Sequence, residues 1–154
     1  MQRGMTLIEL LLCVSILSIL AGIAMPVIGN SLARQELEAA SRQLAADIRW
    51  LQQVSVNAGV NRRAYAMLFY NTAPYGYLIT ANTVKVKEVI FPASVTLCGN
   101  TPYISFSQSG APKTGAQTVS MYSEKLRYWK YIILAPVTGR VRISDFKNTQ
   151  PGEG

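Results

Sequence analysis

One long apolar run, broken by a single carboxylate, constrains this chain more than any other feature. Positions 7–28 read LIELLLCVSILSILAGIAMPVI, and no charged residue stands between Leu10 and Ala33. At about 1.5 Å per residue a helix of that length extends ~33 Å, enough to cross the hydrocarbon core of a bilayer. Glu9 sits near its start. A carboxylate inside a membrane helix costs about 2.5–3.5 kcal/mol even on the most lenient insertion scales. A segment that keeps one needs a cation to compensate it.

Three uses compete for such a segment. A cleaved secretory signal fits the basic start at Arg3 and the small residues of Gly22-Ile23-Ala24. A lipoprotein signal ending at Cys13 meets a bulky Leu12 where a small residue is needed. A retained anchor is the third use, and Glu9 selects it, because neither kind of signal has a role for the charge. The short basic leader stays in the cytoplasm, placing the roughly 120 residues beyond the run on the far side of the membrane. The expectation is a single-pass protein of the cytoplasmic (inner) membrane with its head outside the cytoplasm.

Composition narrows the chemistry. Apolar types make up 49% of the 154 residues and charged types only 15%, and the run accounts for much of that imbalance. The remainder suffices for one modest domain. There is no histidine, which excludes His-based triads, His general bases and His-rich metal sites. Two cysteines are too few for a disulfide framework; Cys98 reads as a small buried or half-buried residue. Ser123-Glu124-Lys125 offers a Ser/Lys pair, but nothing in the sequence orients or desolvates the lysine. No phosphate-cradling glycine loop and no carboxylate cluster suited to a metal occurs. The chain is expected to be non-enzymatic, with no cofactor and no metal.

The helix is expected to continue past the membrane. Positions 31–53 contain no Gly or Pro, and Leu37, Leu44, Ile48 and Leu51 mark one helical face. Arg34/Glu38 and Glu38/Arg42 are spaced as i,i+4 pairs on the exposed side. Asn57-Ala58-Gly59 supplies a terminator, and Pro26 is expected to kink or locally melt the helix. β-like runs follow at 63–70, 77–81, 84–91, 95–97, 104–107, 118–122, 129–134 and 140–143, with turn-forming stretches between them. One helix followed by many strands predicts an α+β fold, with an antiparallel sheet on the apolar face of the helix's amphipathic second half. The expected organisation is a leader at 1–4, a transmembrane and assembly helix at 5–30, a head at 31–147 and a flexible tail at 148–154.

Gly4-Met5-Thr6-Leu7-Ile8-Glu9-Leu10 resembles the prepilin signature of type IV pilins and type II secretion pseudopilins. The resemblance implies cleavage after Gly4 by a prepilin peptidase and methylation of the new amino group on Met5, where the family usually has Phe. It further implies a pilin-like fold, with Thr6, Glu9 and Pro26 as assembly residues. Glu9 would be neutralised by the Met5 amine of a nearby subunit, a strong attraction in low dielectric that sets axial register. Implied partners are other pilins or pseudopilins in a filament, the inner-membrane assembly platform and, before assembly, membrane lipid. The subunit would end in a pilus at the cell surface or a pseudopilus in the periplasm.

Phe106-Ser107-Gln108-Ser109-Gly110, Thr118-Val119-Ser120, a Tyr/Trp-rich strand and Gly139-Arg140-Val141-Arg142-Ile143 resemble the GspH/FimT group of minor pilins and pseudopilins. Residues 104–154 hold seven basic against three acidic residues. On a strand, Arg140 and Arg142 share a face about 6–7 Å apart, a spacing that suits successive phosphates. The FimT-like resemblance implies that Gly139, Arg140 and Arg142 contact double-stranded DNA during uptake, with Lys130 and Lys147 nearby. Tyr128, Trp129 and Tyr131 offer stacking surfaces or are simply core and edge residues. The bland use of the arginines, a solvated or subunit-contacting sheet edge, stands beside the DNA reading. Two roles follow: a minor type IV pilin aiding natural transformation, or the H-type pseudopilin of a type II secretion system.

Overall fold

The computed structural model describes residues 7–57, 64–99 and 103–146, with backbone only at 23–28. Helix α1 occupies Leu7–Asn57 and is followed by eight strands: β1 Tyr65–Tyr70, β2 Gly76–Ala81, β3 Val84–Ile90, β4 Thr96–Cys98, β5 Tyr103–Ile104, β6 Gln117–Ser123, β7 Tyr128–Leu134 and β8 Val141–Ser144. The architecture is α+β, a helix packed on antiparallel sheets, as the pattern of elements predicts. Each of the eight expected runs overlaps one strand.

Three expectations need correction. The strands form two four-stranded sheets, ordered β3-β2-β1-β5 and β4-β6-β7-β8, where a single sheet was expected. The chain changes sheet at each step from β3 to β6, so β4 and β5 tie the sheets together. Of the run expected at 104–107 only Ile104 belongs to a strand, the two-residue β5, because Phe106 bridges to Pro112 and Ser107–Ala111 closes a turn. Nor does the helix melt at Pro26: helical backbone continues through that position. A proline removes a single intrahelical hydrogen bond, and the turns on either side keep theirs.

The second half of α1 earns its place by burial. Leu37, Leu44, Ile48 and Leu51 are each no more than 1% exposed, and Ala33, Ala40 and Ala45 lie buried among them. They meet Met67, Phe69, Tyr77 and Ile79 from the first sheet and Val119, Met121, Ile132, Leu134 and Val141 from the second, in one continuous core. Small alanines between large leucines let both sheets approach the helix. The first half differs entirely. From Leu7 to Gly22 every residue is exposed, Leu7 at 80% and Leu17 at 64%. Among the described residues no helix is long and apolar enough to cross a membrane. Leu7–Gly22 is nevertheless an apolar surface that the head leaves uncovered.

Polar ties fix each sheet to the helix. Asp47 accepts a hydrogen bond from Tyr77 on β2 at 2.5 Å and pairs with Lys87 on β3 at 2.6 Å. Burial, then the Asp47 contact, pushes the Tyr77 hydroxyl far above its usual range. On the other side Lys130 of β7 lies 2.7 Å from Glu38 and 2.6 Å from Asp145. The expected Arg42–Glu38 pair forms at 3.5 Å, but Glu38 is closer to Lys130. Ser94 donates to Glu36.

The hydrogen bond from Lys130 holds the Asp145 carboxyl below its usual range. A carboxylate depressed in the folded state contributes stability above the ordinary carboxylate range and loses it as pH falls through its folded pKa. Asp145 is half exposed, so the contribution is less than about 1 kcal/mol. The melting temperature of Asp145→Asn is therefore expected to lie slightly below wild type at neutral pH. The two are expected to converge only as the pH falls below the ordinary carboxylate range and through the depressed folded pKa of Asp145, as followed by circular dichroism of the full chain in detergent.

Candidate functional site

The β7–β8 hairpin brings together the residues that carry charge. Leu134 pairs with Val141, Ile133 with Arg142, Ile132 with Ile143 and Tyr131 with Ser144. Strand alternation sends Val141 and Ile143 toward the core and leaves Arg142 exposed on the outer face. Arg140 lies one residue before the strand rather than within it, since β8 begins at Val141. It too is exposed, and its carbonyl accepts the Ala135 N–H at 3.0 Å, so the backbone stays paired to the hairpin. The two guanidinium groups thus belong to alternate residues on one side of a ladder edge.

The geometry of the preceding turn depends on contacts that the sequence does not display. Gly139 adopts φ +64°, and its N–H reaches the Ala135 carbonyl at 3.0 Å. A Cβ there would collide with the Gly110 carbonyl oxygen and the Gln52 amide nitrogen. Gly110, at φ +81°, lies in the turn whose N–H bonds Ser107. The Gln52 side chain on α1 donates to both Gly110 O at 2.7 Å and Thr138 O at 3.1 Å. Arg49, one turn back on the helix, donates to Val141 O at 3.2 Å. The glycines of the two separated motifs, Phe106–Gly110 and Gly139–Ile143, therefore meet at one joint, clasped by a helix residue. A polar residue at Gln52, four positions beyond the core residue Ile48, was the only sequence trace of it.

The remaining expected site residues scatter. Lys130 leaves the DNA-facing set: it is 8% exposed, points toward α1, and its ammonium lies between Glu38 and Asp145. Burial lowers its pKa and the two carboxylates more than offset this, so it stays charged but already paired. Tyr128 also parts from its neighbours, with the Lys130 ammonium 5.7 Å from its ring. Trp129 and Tyr131 face outward with rings parallel to within 5°, and Tyr122 of β6 joins them at 4.6 Å from Trp129. Sequence reasoning missed Tyr122, whose place is set by its cross-strand register with Trp129. Gly4, Met5, Thr6 and Lys147 and the tail at 148–154 lie outside the described residues, as does the Pro26 side chain. Glu9 is on the exposed N-terminal part of α1. Ser123 is fully buried while Lys125 is exposed, so that pair forms no nucleophilic site. Among the described residues no metal-ligating cluster occurs.

The joint generates a mutational test. Gly139→Ala adds a left-handed backbone strain and a collision, and is expected to destabilise the head by about 2 kcal/mol or more. Gly115→Ala, at φ +76° but facing open space, carries the strain alone and is expected to cost about half as much. Gln52→Ala removes two hydrogen bonds and is expected to cost about 1–2 kcal/mol. Thermal unfolding of the three variants checks the ranking.

The comparisons with known proteins bear on the N-terminus. Residues 1–25 match the family model described as the prokaryotic N-terminal methylation motif. Neither the curated proteins nor the solved structures give a match to the chain. The chain carries the processing and methylation signature of type IV pilin-like proteins, which supports a pilin or pseudopilin role, with a prepilin peptidase and other pilins as partners.

Proposed function

We propose that the protein is a minor pilin, anchored by α1 in the cytoplasmic membrane and then drawn into a filament, whose head captures double-stranded DNA. The observation that carries the assembly reading is the uncovered apolar surface from Leu7 to Gly22 beneath the methylation motif. Sixteen exposed, mostly apolar residues are stable only in lipid or against other helices of the same kind. Moving from bilayer to filament exchanges one apolar environment for another. Glu9 breaks that symmetry, because in the assembled state a neighbour's Met5 amine lies close enough to pair with it. Filament yield of Glu9→Leu is expected to fall at least tenfold, with the membrane-bound precursor still processed; shearing and immunoblotting measure both.

The DNA reading rests on Arg140 and Arg142, both exposed at the sheet edge next to the joint that Gln52 makes with Gly110 and Thr138. Two cations held in place bind adjacent phosphates without first losing side-chain-bearing loop entropy. Lys130 contributes nothing to this surface. Affinity of the full chain in detergent for a DNA duplex at low salt is expected to drop about tenfold or more in Arg140→Gln/Arg142→Gln, with a shallower salt dependence. An unchanged affinity rejects the reading. The outward row of Tyr122, Trp129 and Tyr131 favours a second one, an H-type pseudopilin whose head packs on another pseudopilin through aromatic surface.

A further inference from the structure

The turn joining β6 to β7 lies at the end of the head from which the apolar helix emerges. Lys125 sits over Gly29, where an added Cβ would meet its ammonium. Gly29 is the first residue after the apolar run 7–28. If that run spans the hydrocarbon core, position 29 lies at the level of the lipid phosphates, and so does the Lys125 ammonium. Arg127 closes the same turn, its N–H bonded to the Glu124 carbonyl at 3.3 Å. Both basic side chains are exposed, and neither forms an ion pair among the described residues. Glu124 is the one acid of the turn. Tyr128 and Trp129, each 37% exposed, follow at once, and such rings favour the membrane–water boundary.

We propose that this turn is a membrane-surface contact: Lys125 and Arg127 seat the head on anionic phospholipid headgroups of the bilayer that holds α1, before the subunit enters a filament. The chemistry is that of a short basic segment beside a membrane anchor, attracted to lipid phosphate and screened by salt. Lipid is the favoured occupant because the anchor already holds the turn at the bilayer, which makes the second contact effectively intramolecular. The opposite end of the sheet differs. The β7–β8 turn is fixed to Gln52, 23 residues farther along α1, which places it about 34 Å away. The same fold thus points one pair of cations at the membrane and another pair, Arg140 and Arg142, away from it.

This proposal rests on the anchored reading above, and the experiment separates the two. Full chain with Cys13→Ser and Cys98→Ser receives one dye, at Glu124→Cys in the turn or at Val137→Cys, 78% exposed in the β7–β8 turn. Each is reconstituted into zwitterionic vesicles, with or without an anionic phospholipid, that contain a lipid bearing a headgroup nitroxide. The dye at 124 is expected to be quenched in anionic vesicles, less so in zwitterionic ones, and the dye at 137 in neither. Adding Lys125→Gln and Arg127→Gln is expected to shift the docking equilibrium about fivefold per charge removed. Equal quenching at 124 and 137, or quenching at 124 indifferent to lipid charge and to both substitutions, overturns the proposal while leaving the anchor intact. Shielding of the 124 dye by a second copy overturns it as well. Extraction of the chain by alkaline carbonate overturns the anchored reading and the proposal together.

Discussion

A single helix has to satisfy two environments, and the rest of the molecule follows from how it divides the task. Beyond Ala33 one face of α1 is buried to completion between two sheets, with Leu37, Leu44, Ile48 and Leu51 at its centre. From Leu7 to Gly22 the same helix is mostly apolar and every residue is exposed. Hydrophobic burial is non-directional, so leucines alone do not determine which sheet packs where. The selectivity comes from sparse polar contacts set into the apolar interface.

Those contacts are spaced along the helix in an order that fixes the head's orientation. Lys125 lies over Gly29, Lys130 pairs with Glu38, Arg49 reaches the Val141 carbonyl, and Gln52 reaches Thr138 and Gly110. The second sheet is therefore aligned so that its β6–β7 turn faces the apolar end and its β7–β8 turn the far end. Asp47 does the corresponding work for the first sheet through Tyr77 and Lys87. Each tie except that of Lys125 leaves a charge or amide matched, and breaking one would leave its partner exposed to the penalty of an uncompensated polar group. Directional contacts of this kind turn a general affinity between helix and sheets into one arrangement.

The two pairs of exposed cations gain meaning from that alignment. Arg140 and Arg142 lie exposed at the hairpin end clasped by Gln52, away from the apolar segment. Lys125 and Arg127 occupy the other end, where Lys125 lies over Gly29 beside the apolar segment. Lys130 lies between them in sequence and in space, yet its charge is already engaged by Glu38 and Asp145. Equal charges in one basic segment are thus paired inside the fold or exposed on its surface, depending on which face of β7 or which turn they occupy.

The sequence by itself determined the apolar segment, the cost of Glu9 within it, the amphipathic stripe and the eight strand-forming runs, because each is a local matter of composition and period. It also set Arg142 on the outer face of its strand opposite Val141, since alternate residues of a strand share a side whatever the strand packs against. Only the tertiary structure decided that the strands part into two sheets, that Gly110 and Gly139 meet at Gln52, that Tyr122 joins Trp129 and Tyr131, and that Lys130 turns inward. These depend on pairings between residues tens of positions apart. Periodicity tells each strand which side is apolar, but register and crossover, set by the joint packing of all elements on α1, choose the neighbours.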